Sequence, residues 1–320
     1  MKTKTNAVAV SSLRKTPLQR FWIKFRKNWQ LHLMMLLPLG YLLLFHYGPM
    51  YGIQIAFRDY RPRKGILGSE WVGLEHFRTF FSNYKWVDYL KNTLTISVYS
   101  IAAGFPIPII LALMLHVNEH KGLKKITQNV SFVPHFISTV VLVGIINQVF
   151  SPYSGLYSTI CDFLNLTKTD LRQEADAFYH LYVWSGVWQG MGWSAIIYVA
   201  SLSSVSTELH EAAIIDGASR WKRVLHVDLP AITPTICMML ILRFGSVMSV
   251  GYEKVYLMQA TSNLTKSEII STYVYKTGVA QGKLSYAAAV GLMNAVINTV
   301  LIVVVNKITD KLSDGENSLF

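Results

Sequence analysis

Six apolar runs, each close to the length of a membrane-spanning helix, constrain this sequence more than any other feature. A helix needs about 20 residues to cross the hydrocarbon core of a bilayer, because it rises about 1.5 Å per residue. Only 15% of the residues are charged, which is low for a soluble domain. The sequence therefore predicts an all-α membrane protein with about six transmembrane helices. We place them at about His32 to Phe57, Leu94 to Val117, Val130 to Phe150, Leu181 to Ser203, Thr235 to Tyr252 and Tyr286 to Val305.

The formal net charge of +12 could serve a nucleic-acid surface or a membrane-facing tail, and its distribution favours the tail. Eight Lys and Arg residues and no acidic residue precede Trp29. Such a basic excess is typical of the cytoplasmic flank of a transmembrane helix, where anionic lipid attracts it. No basic helix face or RNA-recognition signature accompanies the tail, so we expect lipid and not nucleic acid as its partner.

The basic tail also predicts the domain organisation. Residues 1–30 form a cytoplasmic N-terminal tail, residues 31–310 a transmembrane domain, and residues 311–320 a cytoplasmic C-terminal tail. An even number of crossings returns the C-terminus to the side on which the chain started. The first apolar run is too long for a signal peptide and lacks an A-x-A-like cleavage site, so we expect it to be retained as an anchor.

Few catalytic signatures occur in the sequence. Gly282-Lys283 lacks the remainder of a P-loop, so we expect no nucleotide site in this chain. One zinc-enzyme spacing, H-x-x-E-H, occurs at His116, Glu119 and His120. Two histidines four residues apart would share a helix face, and the glutamate could polarise a metal-bound water. The alternative is the polar end of the second run, and we expect no metal because no second helix supplies an obvious third ligand.

The polar segment between the fourth and fifth runs, residues 206–234, has an ordered arrangement of helix signals. Ser206 or Thr207 can cap a helix by accepting a hydrogen bond from a free backbone N–H group. Gly217 follows about ten residues later, and glycine adopts the left-handed conformation that ends a helix in a sharp turn. The segment therefore predicts a short helix that is followed by a bend.

A second short helix is predicted after the bend. Ser219 can cap its first turn, and Pro230 and Pro234 are expected to end it before the fifth run begins. The two helices would form an angled hairpin at the inner membrane surface. A short amphipathic hairpin of this kind suits docking into the groove of a partner protein.

This segment resembles the EAA loop of the integral-membrane subunits of binding-protein-dependent ABC importers. The family pattern is E-A-A, three residues, G, nine residues, and I-x-L-P. The sequence has Glu211-Ala212-Ala213, then Gly217, then Val227-Asp228-Leu229-Pro230. Val227 in place of isoleucine is the one departure from the pattern. The resemblance implies a type I ABC importer architecture, in which this loop, residues 206–234, contacts a separate ATPase.

Several other stretches are similar to the MalF-like branch of these permeases, which takes up carbohydrates, here oligosaccharides or polysaccharide fragments. The likeness runs from about Leu36 to Lys311. These stretches are Tyr47-Gly-Pro-Met-Tyr-Gly52, Trp71-Val-Gly-Leu-Glu-His-Phe77, Pro134-His-Phe-Ile-Ser138, Gly192-Trp193 and Gln281-Gly-Lys-Leu-Ser-Tyr286. A permease for amino acids, peptides or ions has the same architecture and stays as an alternative. More distant alternatives are a membrane-embedded zinc hydrolase and a channel that needs no ATPase.

The resemblance also implies roles and partners. Glu211 pairs with a basic residue of the ATPase, Ala212 and Ala213 allow close approach, Gly217 sets the bend, and Leu229-Pro230 closes the motif. Two ATPase subunits bind ATP and Mg²⁺, so this chain needs no cofactor of its own. The remaining partners are a second, homologous permease subunit and an extracytoplasmic binding protein or lipoprotein. The expected location is a bacterial inner or plasma membrane.

Candidate residues for the solute path are polar or aromatic groups within the predicted spans. Arg243 is one of them, because an unpaired charge in a span costs about 2.5–3.5 kcal/mol and requires a partner, water or a cavity; a cavity or subunit-interface role and a purely structural role are equal alternatives for it. Trp188 and Tyr198 offer aromatic faces that suit sugars. Asn147 and Asn294 are weaker candidates, since interhelical hydrogen bonding also explains them.

Overall fold

The computed structural model describes Trp22 and residues 25–312. Most of the predicted N-terminal tail, and residues 313–320 of the predicted C-terminal tail, lie outside the described residues. The α-helices are Trp29–Leu42, Gly48–Met50, Gly65–Gly68, Glu75–Ser82, Trp86–Gly104, Pro106–Val117, Lys121–Phe132, Thr139–Val149, Leu156–Phe163, Ala175–Leu202, Thr207–Ile215, Arg220–Arg223, Leu229–Phe244, Tyr252–Met258, Leu264–Ser267, Ile270–Tyr275 and Leu284–Leu312.

Irregular helical turns and one small sheet complete the described secondary structure. The π-helical segments are Leu43–Tyr47, Val224–Asp228 and Lys276–Ala280, and the 3-10 segments are Tyr51–Phe57 and Val133–Phe136. The strands Arg58–Asp59 and Glu70–Trp71 pair antiparallel, with Arg58 opposite Trp71. The sequence prediction of an all-helical chain holds apart from this two-stranded ribbon.

Two compact units divide the chain, one ending at Gln54 and the other beginning at Ile55. Within the first unit, the helix Trp29–Leu42 has no buried residue, although most of its side chains are leucine, methionine or aromatic. A soluble protein rarely exposes a continuous apolar surface of this extent. Such a surface fits a helix that faces lipid or another helix.

Among the described residues, four helices are long and apolar enough to span a membrane, where the sequence predicted about six. They are Trp29–Phe57, Trp86–Val117, Arg220–Phe244 and Leu284–Val304. The predicted third span, Val130 to Phe150, is broken in the structure, because Lys121–Phe136 and Thr139–Val149 meet at a bend of 104°. Pro134 lies in the 3-10 turn at this bend, where its missing N–H group and fixed backbone angle disfavour a continuing α-helix. Counting the bent pair as one span gives five.

The predicted fifth span, Thr235 to Tyr252, is displaced in the structure. The helix begins at Arg220 and ends at Phe244, so Pro230 and Pro234 do not end a helix as expected. Pro230 occupies the first turn of Leu229–Phe244, and the π-helical segment Val224–Asp228 joins this helix to the preceding turn. A π-helical insertion changes the hydrogen-bond register, which accommodates a residue that lacks an N–H donor.

The predicted fourth span corresponds to the long helix Ala175–Leu202, which has 28 residues. It is long enough to cross a bilayer, but its Gly, Ser, Gln, Trp and Tyr residues make it less apolar than the four helices above. Its C-terminal half forms a buried core with two neighbouring helices, through Ile109, Ala112, Ala195, Tyr198, Leu202 and Ile232. Packing among these three helices fixes the position of the 206–234 loop.

Gly192 permits the close approach of the long helix to the end of Lys121–Phe132. A Cβ atom at this position would lie 2.1 Å from the carbonyl oxygen of Ser131. Gly190, one half-turn away, has no atom within 4 Å of the corresponding position. Gly192 therefore packs directly against a neighbouring backbone, whereas Gly190 on the same helix faces open space.

We expect Gly192→Ala to destabilise the protein by about 1–3 kcal/mol, because the backbone of Ser131 cannot move as a flexible side chain would. The measurement is the midpoint of thermal unfolding of the purified protein in detergent. Gly190→Ala is the matched control and should be neutral or slightly stabilising, since alanine favours a helix over glycine. Equal midpoints for the two variants would contradict the packing role of Gly192.

Candidate coupling loop and polar cavity

The structure forms the predicted hairpin in residues 206–215 and its following turn. The helix Thr207–Ile215, here called the EAA helix, begins at Ser206, whose side chain accepts a hydrogen bond from the backbone N–H of Glu208 at 3.2 Å. Gly217 has a φ of +75°, in the left-handed region. Ser219 caps the next helix by accepting from the backbone N–H of Lys222 at 3.4 Å. The caps and the bend predicted from sequence are confirmed.

The second helix of the hairpin is continuous with a membrane span. Helical structure runs without interruption from Arg220 to Phe244 over 25 residues. The hairpin is therefore not a separate element that is tethered to the membrane domain by a flexible linker. The second helix of the hairpin and the span are one helical element.

The EAA helix presents an uncovered mixed surface. Glu211 and Ala212 are exposed, Ala213 is half-buried, and Gly217 is exposed. Ile215 is 86% exposed, and it lies one helical turn from Glu211. An acidic group beside exposed apolar side chains is a surface suited to a protein partner.

Residues 228–230, at the C-terminal end of the motif, have different environments. Leu229 is half-buried and packs against the three-helix core, whereas Pro230 is exposed. Asp228, which directly precedes Leu229 in the sequence, is buried and only 1% exposed. One side of the motif therefore packs against the membrane domain, and the other side is exposed on the surface of the chain.

The zinc spacing predicted at His116, Glu119 and His120 does not form a site. The helix Pro106–Val117 ends before Glu119, and residues 118–120 have extended or irregular backbone, so the two histidines do not share a helix face. Glu119 instead pairs with Arg220 at 2.8 Å on the protein surface.

A polar cavity of about 300 Å³ lies among Trp86–Gly104, the long helix and the segment after Phe244. Two cationic side chains, Arg243 and Lys254, line it together with several hydroxyl and amide groups. Within the part of the chain that the structure describes, no aspartate or glutamate lines it. The polar lining residues are Ser97, Ser100, Gln189, Ser194, Ser246 and Ser249.

Lys254 is held in this cavity without a carboxylate partner in the described part of the chain. Its Nζ donates to the carbonyl oxygen of Tyr182 at 2.8 Å and lies 4.6 Å from the centre of that aromatic ring. The residue is 9% exposed. Sequence reasoning missed Lys254 because the predicted fifth span ended at Tyr252, which left this lysine in a supposed outer loop.

The other predicted path residues are not brought to this cavity. Trp188 lines a separate apolar cleft with Trp184. Tyr198 is 3% exposed and packs in the apolar core, away from the lining of this cavity. Asn294 donates to the backbone carbonyl of Met248 at 3.2 Å, the structural role that was its alternative. Asn147 is exposed, and its carbonyl oxygen accepts from Arg172.

A helical membrane protein with a polar cavity among its helices and a capped hairpin fused to one span belongs to the class of solute-transport subunits. Residues 104–314 match the model of the binding-protein-dependent transport system inner membrane component family. The chain belongs to this family, which confirms the resemblance inferred from the EAA loop. The family is a non-enzymatic multi-pass membrane subunit, and ATP hydrolysis belongs to a partner ATPase.

Relatives cover nearly the whole chain. The polygalacturonan/rhamnogalacturonan transport system permease protein YteP of Bacillus subtilis strain 168 is 39% identical over 98% of this chain and 97% of its own length. Protein LplB of the same organism is 40% identical, covering 89% of this chain and 90% of its own length. Both similarities extend through the described helices and into regions outside the family match.

Solved structures share the fold. One chain of a bacterial ABC transporter involved in the import of the acidic polysaccharide alginate has a TM-score of 0.83 and 33% identity, with 91% of this chain and 99% of that chain covered. A chain of the alginate transporter in complex with an alginate pentasaccharide-bound periplasmic protein has a TM-score of 0.85 and 32% identity, covering 94% and 100%. The type I importer fold expected from the sequence is confirmed.

We expect Glu119→Gln to leave solute uptake within about twofold of the unchanged chain, because an exposed ion pair contributes little. The measurement is uptake by cells that carry the complete transport system. A zinc hydrolase that used Glu119 would lose its activity in the same variant. A large loss of uptake in Glu119→Gln would contradict the peripheral role that the structure gives this residue.

Proposed function

We propose that this protein is the permease subunit of an ATP-driven importer for oligosaccharides, coupled to a separate ATPase through residues 206–234. The exposed hairpin that continues directly into a membrane span carries this proposal. The likeness to YteP over nearly the full length of both chains supports a carbohydrate substrate. An importer of amino acids or peptides is the alternative, and no feature of the cavity favours it.

Glu211 is the proposed contact with the ATPase. Its carboxylate is exposed on the EAA helix, so a basic side chain of the partner can reach it without rearrangement of the loop. The small side chains of Ala212 and Ala213 allow a partner to approach that side of the helix closely. Gly217 turns the chain back toward the span. Closure of two ATP-bound ATPase subunits would then move Arg220–Phe244 as one body. ATP and Mg²⁺ bind to the ATPase, and transport needs no cofactor in this chain.

We expect Glu211→Gln to lower uptake by at least about tenfold, because breaking one partner of a charged interfacial pair costs 2–5 kcal/mol. Glu208→Gln is the matched control, since it neutralises an exposed acid on the same helix. Uptake and binding-protein-stimulated ATP hydrolysis are measured with the assembled transporter, together with recovery of the ATPase on purification. Equal losses in the two variants would show a general charge effect and would count against the assigned contact.

The cavity supports an acidic oligosaccharide as the solute. Arg243 and Lys254 place two positive charges in a lining that has no carboxylate. Lys254 is 9% exposed, and removing a charge from water is expensive, so such a site favours a solute that brings negative charge. Uronic-acid sugars carry one carboxylate per residue, while hydroxyl and amide groups of the lining can bind their hydroxyls. The names of YteP and of the alginate transporter point to the same sugar class.

We expect Lys254→Met to raise the KM for a galacturonate oligosaccharide by about tenfold, because the lost charge–charge attraction in a partly dehydrated cavity exceeds 1 kcal/mol. The methyl ester of the same oligosaccharide is neutral and should show little change. Lys266→Ala is the control, since Lys266 pairs with Asp176 and is not part of the cavity lining. A variant that affects acid and ester equally would exclude charge recognition by Lys254.

Partners and orientation follow from the same proposal. The uncovered apolar helix Trp29–Leu42 suits a second, homologous permease subunit or lipid. An extracytoplasmic binding protein or lipoprotein delivers the oligosaccharide on the opposite side of a bacterial inner or plasma membrane. Both chain termini and the hairpin lie in the cytoplasm, where the ATPase is located. Of the path residues predicted from sequence, Arg243 is retained, and Trp188 is assigned to the apolar cleft.

A further inference from the structure

Three side chains from three separate segments meet where the EAA helix contacts the membrane domain. His116 lies in the last turn of Pro106–Val117, His210 on the EAA helix, and Asp228 at the end of the π-helical segment. Nε2 of His210 is 3.1 Å from Oδ1 of Asp228, and Nε2 of His116 is 3.5 Å from the same oxygen. The three ligand atoms all lie within 4.8 Å of one another.

Hydrogen bonding does not account for this arrangement. Within the described residues, neither Nε2 of His210 nor Oδ1 of Asp228 has a hydrogen-bond partner, although they are 3.1 Å apart. Asp228 is 1% exposed, so its carboxylate is almost completely removed from water. A buried carboxylate with an unsatisfied oxygen is unfavourable unless a cation balances it, and the two histidines do so only when they are protonated.

The spacing fits the edges of a metal coordination shell. In a tetrahedral site with bonds of about 2.0–2.1 Å, two ligand atoms lie roughly 3.3 Å apart, and each ring nitrogen points at the ion and not at the other ligand. The two nitrogen–oxygen distances, 3.1 and 3.5 Å, bracket this value, and the third edge of the cluster is no longer than 4.8 Å. Two imidazoles and one carboxylate form a common donor set for zinc, with a fourth position open to water.

We propose that His116, His210 and Asp228 bind a divalent transition-metal ion of the zinc type. This site differs from the H-x-x-E-H spacing, because it uses only His116 of that motif. An ion held there would tie the EAA helix to the end of Pro106–Val117 and to the π-helical segment Val224–Asp228 within the span Arg220–Phe244. Binding of the ion does not depend on the proposed sugar importer, whereas any effect on transport does.

Two arginines near the cluster define the competing explanation. Arg220 and Arg223 line the same cavity, which has a volume of about 360 Å³. Arg220 already pairs with Glu119 at 2.8 Å. Nε of Arg223 is buried without a hydrogen-bond partner. Arg223 could therefore balance Asp228 in place of a metal, and the experiment has to separate these two outcomes.

The test is Co²⁺ and Zn²⁺ binding to the purified full-length chain in lipid nanodiscs. Tetrahedral Co²⁺ with nitrogen and oxygen ligands gives visible absorption bands, and Zn²⁺ should displace it at one ion per chain. We expect His116→Ala, His210→Ala and Asp228→Asn each to weaken binding by at least about 100-fold, since each removes a ligand. His120→Ala and Glu119→Gln are matched controls from the adjacent segment and should bind Co²⁺ as the unchanged chain does.

The outcomes are distinguishable. Loss of the Co²⁺ spectrum in the three ligand variants, with retention in both controls, supports the site. Binding that is unchanged by these variants, or no tetrahedral Co²⁺ spectrum at all, overturns it. If Asp228→Asn destabilises the metal-free chain as much as Arg223→Gln, and no metal binds, then Arg223 is the partner of Asp228. None of these results depends on sugar uptake, so a failed substrate assignment leaves the test intact.

Discussion

A lipid bilayer offers no hydrogen-bond partner to the peptide backbone, and this constraint determines where the helices of this chain can break. The span that starts at Arg220 ends at Phe244. Beyond that residue, side chains of the last helix, Leu284–Leu312, form hydrogen bonds with the backbone. Asn298 donates to the carbonyl of Gly245 at 2.7 Å and accepts from the N–H of Met248 at 3.2 Å. The break brings Arg243 and Lys254 to one cavity, so two asparagine contacts underlie the proposed solute site.

Local signals in the sequence predicted the hairpin well, because its determinants act over a few residues. Ser206 and Ser219 cap the helices that follow them, and Gly217 takes the left-handed conformation. Hydrophobicity likewise identified the regions that become apolar helices. Pro230 and Pro234 were wrongly expected to end a helix. The π-helical segment before Pro230 keeps the helix continuous, and Pro234 lies inside it. Proline alone does not define a helix end when the flanking hydrogen-bond register can shift.

Contacts between distant segments explain what the sequence could not predict. The cavity depends on Lys254 meeting the carbonyl of Tyr182, 72 residues away. Tyr198 looked like a path residue because it is aromatic and mid-helix, yet the packing of three helices buries it. The H-x-x-E-H spacing at residues 116–120 was misleading because the contacts of His116 also come from distant segments. His116 meets His210 and Asp228 from other segments, and no periodicity within residues 116–120 indicates that.

Continuity between the hairpin and its span joins the two candidate sites. At about 1.5 Å per residue, 25 helical residues extend roughly 37 Å. Arg220 lies at the hairpin end of this helix, and Arg243 lies at the cavity end. A rotation imposed on the second helix of the hairpin, which begins at Arg220, therefore reaches a charged group of the proposed solute cavity through one continuous helix. Coupling in such an arrangement needs no relay of side-chain contacts, because a stiff helix carries the motion.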